Sequence, residues 1–193
     1  MNEFFFVRDY RRKFRFFTAD PPRPPDVRRT KAQAAWDLAK RKLMVLPQRI
    51  LRQEQVFARA LKMEDKEVRV FFSGAGEETR IGLRFRLFLL KQRTTRILIL
   101  IGETLILPLT ALTMPLPGPN VFFYVLALLM ITHWQSFRGI HAFLKKEYAF
   151  AAAPLLAEWE EAVKAGDETV YLALLARMEA EWGLTDLRKV LWK

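Results

Sequence analysis

Apolar residues are unevenly distributed along this chain, and one long stretch stands apart from the rest. Between residues 97 and 134 the only acidic, basic or histidine residues are Glu103 and His133, whereas other segments mix charged and apolar residues freely. Turn-forming residues divide the stretch, and each half has roughly 18 to 20 residues, the helical length that matches a membrane hydrocarbon core. This pattern predicts a two-helix membrane hairpin. Its predicted hinge consists of Pro115, Pro117, Gly118, Pro119 and Asn120.

The same stretch also allows a re-entrant hairpin, which enters a membrane from one side without crossing it. Pro108, Thr113 and Pro115 weaken the first half as a spanning helix, and the fully apolar core of the second half covers only residues 121–131. Irregular backbone at membrane depth is tolerated where protein or water satisfies it. Both arrangements place the two flanking segments on the same side.

Residues 1–82 show the pattern of a small α+β unit. Aromatic-rich segments at residues 4–7 and 14–17 predict a pair of strands, and the alternation over residues 68–72 predicts a third strand. Apolar positions that recur every three or four residues predict two helices between residues 30 and 61. We expect this unit to lie on the cytoplasmic side of the hairpin.

Two further segments complete the predicted domain organisation. Residues 83–146 contain a basic amphipathic lead-in at residues 83–90, predicted to lie on the bilayer surface, followed by the membrane hairpin. Residues 147–193 show helical periodicity, with Trp159 facing inward, and predict a helical bundle. The predicted fold class is therefore an α+β membrane protein with a small N-terminal α+β unit, a two-helix membrane hairpin and a C-terminal helical bundle.

Positive charge flanks the apolar stretch on both sides, in a chain whose formal net charge is +11 at pH 7. Clustered Lys and Arg bind anionic lipid or nucleic acid, but their position beside an apolar run favours lipid and is typical of cytoplasmic flanks. The predicted partner is therefore a bilayer with anionic headgroups, and not nucleic acid. The residues predicted to contact lipid headgroups are Arg93, Arg96, Arg138, Lys145 and Lys146.

Candidate chemistry is confined to the apolar stretch. Glu103 and His133 each lie fifteen residues from Gly118, so an antiparallel hairpin hinged at that glycine would bring them to similar depth. Because ionisable groups at membrane depth often mark ion or proton pathways, the two residues are ion or proton candidates. The alternative interpretation, in which both lie at the interface and contact headgroups, stays open.

Several classes of chemistry are excluded or disfavoured by the residues that the chain lacks. It contains no cysteine, which excludes disulfides, thiolate metal sites and cysteine nucleophiles. It also has no glycine-rich phosphate loop and no paired histidines at metal-binding spacing. We therefore predict that the protein is not an enzyme, with no catalytic residues, no metal site and no cofactor.

Two segments of the central stretch resemble a known family. Residues 116–124, LPGPNVFFY, and residues 133–139, HWQSFRG, are similar to the signature of the mitochondrial potassium/proton exchange-related family. Trp36, Glu54 and the strand predicted at residues 68–72 are similar to the leading region of that family. The order of these parts along the chain agrees with the family as well.

This resemblance, which spans residues 1–145, implies an inner-membrane protein associated with exchange of potassium for protons. The first functional hypothesis is accordingly a membrane-anchored component or regulator of potassium/proton exchange, and thus of monovalent-cation homeostasis. Two spans are too few for a usual transporter of repeated helices, so we expect a homo-oligomer or a larger membrane complex. A bacterial-type member would lie in the inner (plasma) membrane with both termini cytoplasmic, and a eukaryotic member in the mitochondrial inner membrane.

Two alternative functions stay open. One is a structural or scaffold accessory subunit of a membrane protein complex, without ion transport. The other is a lipid-binding protein that enters only one leaflet.

Overall fold

Four strands and five helices have described bounds in the computed structural model, which describes residues 3–18, 53, 56–57, 60–61, 63, 67–74, 78–111, 121–184 and 186–192. The strands are β1 (Glu3–Arg8), β2 (Phe14–Thr18), β3 (Glu67–Phe72) and β4 (Glu147–Ala152). The helices are α1 (Glu78–Ala111), α2 (Val121–Phe143), α3 (Pro154–Ala165), α4 (Glu168–Trp182) and α5 (Leu187–Leu191).

The strands form one mixed sheet with the order β2-β1-β3-β4. β1 is antiparallel to β2 and parallel to β3, and β3 and β4 are also parallel. Parallel neighbours need a long crossover connection, which α1 and α2 provide between β3 and β4. The strands predicted at residues 4–7, 14–17 and 68–72 are confirmed.

Side chains that alternate along β1 reach both faces of the sheet, and helices cover both faces. Phe4 and Phe6 share one core cluster with Phe85 of α1, whereas Phe5 shares the other with Trp159 of α3. These five side chains are at most 2% exposed. The continuous apolar run in β1 is therefore that of a strand buried on both faces.

The predicted α+β membrane fold is wrong. Within the described ranges no helix is long and apolar enough to cross a membrane, so the predicted transmembrane hairpin is overturned. Arg96, Glu103 and Pro108 interrupt the apolar part of α1, and His133 and Arg138 interrupt α2; charged residues within a span are costly. The structure is instead a mixed α/β arrangement, with a four-stranded sheet and the five helices given above.

Two neighbouring segments also differ from their predicted roles. Residues 83–90, predicted to lie on a bilayer surface, belong to α1 and bury Phe85 and Leu89 in the core. The segment predicted to be a C-terminal helical bundle begins with β4, and its first helix starts only at Pro154.

Some predictions fall outside the described residues. This applies to most of the two helices predicted between residues 30 and 61, including Trp36 and Glu54. It also applies to the whole predicted hinge, which comprises Pro115, Pro117, Gly118, Pro119 and Asn120.

The turn from α2 into β4 fixes the base of the helix pair to the sheet. The hydroxyl of Tyr148 donates a hydrogen bond to the carbonyl of Phe143, and the Tyr148 ring meets Phe85 of α1 edge-on at 5.1 Å between centroids. Burial raises the pKa of Tyr148, although the positive charge of Arg86 opposes this effect. The hydroxyl therefore remains a donor at neutral pH.

The close approach of α2 to the segment that contains Phe57 requires glycine at position 139. A Cβ atom at Gly139 would lie 1.8 Å from the carbonyl oxygen of Phe57, far inside any non-bonded contact distance. By contrast, a Cβ atom at Gly102, within α1, would meet no heavy atom within 4 Å. The two helical glycines therefore differ in what surrounds them.

We predict opposite effects of alanine at these two glycines. Gly102→Ala is expected to raise the free energy of unfolding by about 0.5–1 kcal/mol, because alanine loses less backbone entropy on folding. Gly139→Ala is expected to lower it by about 1–3 kcal/mol, because the added methyl group must push the Phe57 backbone aside. Urea unfolding followed by circular dichroism measures both values, and equal stabilisation by the two variants would contradict the close approach.

Candidate functional site

The two longest helices, α1 and α2, bury polar side chains at a distance from the sheet. Charged and polar residues are seldom buried unless they are paired or hydrogen-bonded, so such a group is a candidate site. We call these residues the polar seam. Its members, each at most 8% exposed over the whole residue, are Arg96, Glu103, Thr132, His133 and Ser136.

Glu103 and His133 are joined directly within the polar seam. Oε1 of Glu103 lies 2.7 Å from Nδ1 of His133, and the two side chains are only 10% and 11% exposed. The contact between Arg93 and Phe137 lies earlier in α1 and later in α2, as expected for antiparallel helices. The structure thus brings together the two residues that the sequence places at equal distances from Gly118. Their role in ion or proton movement stays a prediction.

The surroundings of the Glu103 carboxylate make its contact with His133 important. The other oxygen, Oε2, is buried and has no hydrogen-bond partner among the described residues. A buried acceptor left without a donor costs about 1–3 kcal/mol, and more when it is charged. The imidazole is therefore the group that stabilises this carboxylate, and together they form a pair that can hold a proton.

The outer side of the helix pair is apolar, although a helix in contact with water usually presents polar residues there. Leu98, Leu105 and Leu109 of α1 are at least 61% exposed, and Trp134 of α2 is 52% exposed. We call this surface the apolar face. Its residues are Ile97, Leu98, Ile101, Leu105, Ile106, Leu109, Ile131 and Trp134. Polar groups inside and apolar groups outside reverse the order expected of a helix pair surrounded by water.

A groove with a volume of about 320 Å³ runs along the apolar face between α1 and α2. Its walls are formed by Ile97, Leu100, Ile101 and Leu105 of α1 and by Trp134 and Phe137 of α2. Thr104 also lines the groove, but its hydroxyl donates to the carbonyl of Leu100 at 2.7 Å. The groove is therefore an apolar cleft.

The five cations predicted to contact lipid headgroups have different environments. The Arg93 guanidinium lies 5.9 Å from the centre of the Phe137 ring, and its Nε atom is buried without a hydrogen-bond partner among the described residues. Arg96 is buried in the polar seam, whereas Arg138 and Lys145 are exposed. Lys146 donates to the carbonyl of Met63 at 3.1 Å.

The polar seam and the groove do not follow from the hydropathy pattern alone. Thr132 and Ser136 are separated by four residues, which places them on one side of α2, and Arg96 and Glu103 are separated by two helical turns on α1. This spacing is the sequence signal for a polar seam. The groove has no comparable signal, because it depends on how the two helices pack.

Metal chemistry finds no support in the described ranges, where no group of three or more His, Cys, Asp or Glu side chains could hold a metal ion. Comparison with protein-family models, with characterised proteins and with solved structures finds no match to this chain. The resemblance to the potassium/proton exchange-related family therefore stays a prediction. The arguments that follow rest on the geometry of α1 and α2.

We predict that Glu103 and His133 depend on each other for their burial. His133→Leu is expected to lower the free energy of unfolding by about 3–5 kcal/mol, because it leaves a buried carboxylate unpaired. The double variant Glu103→Leu/His133→Leu is expected to recover most of this loss, because replacement of both partners by apolar residues is often neutral. Denaturant unfolding of the unaltered protein, of Glu103→Leu, of His133→Leu and of the double variant measures the coupling.

The exposed ion pair between Glu158 and Arg177 provides a control for this measurement. Its side chains are 46% and 59% exposed, so Glu158→Gln is expected to change stability by less than about 1 kcal/mol. Losses that simply add in the Glu103/His133 double variant would show that the two residues act independently.

Proposed function

We propose that the protein is a non-enzymatic lipid-surface-binding protein that inserts the apolar face of α1 and α2 into one leaflet of an anionic membrane without crossing it. In this proposal the sheet and the helices α3–α5 stay outside the leaflet and serve as an accessory or scaffold surface for other proteins. Its homo-oligomerisation and its location in the cell stay predictions.

The reversed distribution of polar and apolar side chains is the observation that supports this proposal. Full burial of a leucine side chain contributes about 1.5–3 kcal/mol, and the apolar face leaves several such side chains in water. Contiguous exposed apolar surfaces mark contact sites in proteins. Insertion of the apolar face into hydrocarbon would remove it from water, while the contact between Glu103 and His133 would stay enclosed between the helices.

The charge of the protein favours lipid over other occupants of the apolar face. A second copy would bring another formal charge of +11 to the contact, and the two copies would repel each other. An anionic surface instead attracts basic residues by about 1 kcal/mol each. The exposed cations Arg138 and Lys145, towards and after the end of α2, would contribute to this attraction.

Insertion into a single leaflet agrees with the properties of the two helices. Helices that lie in a membrane interface bury their apolar side about 5–10 Å deep and need no uninterrupted apolar span. This mode is compatible with α1 and α2, neither of which, over its described residues, meets the requirements of a crossing helix. It also corresponds to the alternative in which the protein enters one leaflet only.

We predict preferential binding of the protein to anionic vesicles. Flotation with vesicles of phosphatidylglycerol and phosphatidylcholine is expected to recover at least tenfold more protein than flotation with phosphatidylcholine alone, and added salt should reduce the difference. Leu105→Glu is expected to lower the vesicle affinity at least tenfold, because it replaces an apolar side chain that would enter the leaflet by a charged one.

Leu172→Glu is the matched control for this test. Leu172 lies on α4, outside the apolar face, and is 50% exposed, so the variant carries the same change of charge and residue type. Equal losses of affinity in Leu105→Glu and Leu172→Glu would contradict contact through the apolar face. A stable dimer that Leu105→Glu disrupts would mean that a second copy occupies it instead.

A second candidate function is regulation of potassium/proton exchange, and the buried pair of Glu103 and His133 is the observation that favours it. A pair that can hold a proton within a lipid-facing helix pair could make an associated exchanger sensitive to protons. Membrane vesicles from cells that lack the protein provide the test. Added unaltered protein should restore potassium-dependent proton flux, whereas the Glu103→Gln variant should not. Equal restoration by the two proteins would exclude a role for the pair of Glu103 and His133.

A further inference from the structure

The groove between α1 and α2 is an open apolar cleft, and its lining restricts the chemistry of any ligand. Its volume of about 320 Å³ lies within the range of small-molecule pockets, about 300–1,000 Å³. The rings of Trp134 and Phe137 stack at 5.5 Å between centroids and form one wall. The Thr104 hydroxyl already donates to Leu100 and the other lining side chains are apolar, so the groove suits the apolar part of a ligand.

A cation lies beside this apolar groove. Arg93 is one helical turn before Ile97, and its guanidinium lies over the ring of Phe137. Ile97 and Phe137 both line the groove. Its Nε atom is buried and lacks a hydrogen-bond partner in the described part of the chain. A guanidinium beside an aromatic ring is suited to bind a phosphate oxygen, because its planar donors match the oxygens of phosphate.

We propose that the groove binds one anionic phospholipid molecule, with an acyl chain against Ile101, Leu105 and Trp134 and the phosphate on Arg93. This inference rests on the proposed binding to lipid surfaces and adds to it a specific site with a one-to-one stoichiometry. An apolar wall and an adjoining cation match the two parts of such a lipid. An apolar helix of another protein would satisfy the wall but leave the cation without an anion.

Short-chain lipids below their critical micelle concentration separate this site from general surface binding, because no lipid surface is then present. Isothermal titration calorimetry with dihexanoyl phosphatidic acid is expected to show saturable binding of one molecule per protein. Dihexanoyl phosphatidylcholine should bind at least tenfold more weakly, because its headgroup is zwitterionic. Inorganic phosphate alone should not bind at these concentrations; binding as tight as that of phosphatidic acid would show an anion site without an acyl-chain site.

Filling the groove tests the acyl-chain part of the proposal. Thr104→Phe places a ring in the cleft and is expected to weaken binding of phosphatidic acid at least tenfold. Thr95→Phe is the matched control. Like Thr104, Thr95 is exposed on α1, and its hydroxyl donates to the carbonyl of Lys91, four residues earlier, at 3.0 Å. Unlike Thr104, it lies outside the groove. Equal binding by the two variants would overturn the site in the groove.

Removal of the cation tests the phosphate part. Arg93→Gln is expected to bring the affinity for phosphatidic acid down to that for phosphatidylcholine, whereas Arg84→Gln, at an exposed position of α1, is expected to change neither affinity. An unchanged preference for phosphatidic acid in Arg93→Gln would exclude Arg93 as the phosphate contact. The comparison of lipids on the unaltered protein decides the proposal even where a variant does not fold.

Vesicle flotation distinguishes failure of this inference from failure of the proposed function. Thr104→Phe adds apolar surface, so it should still bind anionic vesicles while it loses the single lipid. If the unaltered protein binds vesicles but no monomeric lipid, the groove site is overturned and surface binding stands. If it binds neither, both proposals are overturned.

Discussion

Burial of β1 on both faces is the constraint on which the rest of the structure depends. A strand with four consecutive apolar residues, Phe4, Phe5, Phe6 and Val7, is stable only when a layer of helices covers each side of the sheet. The helices α3, α4 and α5 cover one side, and the first part of α1 with the last part of α2 covers the other. The connection between β3 and β4 therefore covers one face of the sheet, whatever else it does.

Only part of each long helix, α1 and α2, covers the sheet. In α1, which has 34 residues, the buried side chains of the sheet core are Phe85 and Leu89, and in α2 they are Ile140 and Phe143. The remaining turns have no sheet to cover, and their polarity is reversed relative to that of ordinary surface helices. A reversed distribution is unfavourable in water, because apolar area stays exposed while polar groups are desolvated. This imbalance is the physical reason to assign the outer part of the helix pair to binding.

Local patterns predict the strands β1, β2 and β3, because aromatic runs and alternation reflect the strand geometry itself. The equal spacing of Glu103 and His133 from Gly118 likewise suffices to predict that they lie at similar depth in a hairpin. In contrast, β4 is rich in alanine, which favours helix in isolation, and it becomes a strand through pairing with β3, a contact distant in sequence. Hydropathy also fails to separate side chains that face lipid from those that face another helix or solvent, and for this reason the apolar stretch wrongly predicts a membrane span.

The polar seam and the groove are linked by the helix period. Thr104 follows Glu103 on α1, and Trp134 follows His133 on α2, so each of these two groove residues is rotated by about 100° from a member of the Glu103–His133 contact. The contact between Glu103 and His133 is sensitive to register, because a shift of either helix by one turn would leave a buried carboxyl group without its partner. The hydrogen bond between Glu103 and His133 thus fixes which residues of α1 stand opposite Trp134. A buried polar contact that adds little net stability then determines the shape of the apolar surface beside it.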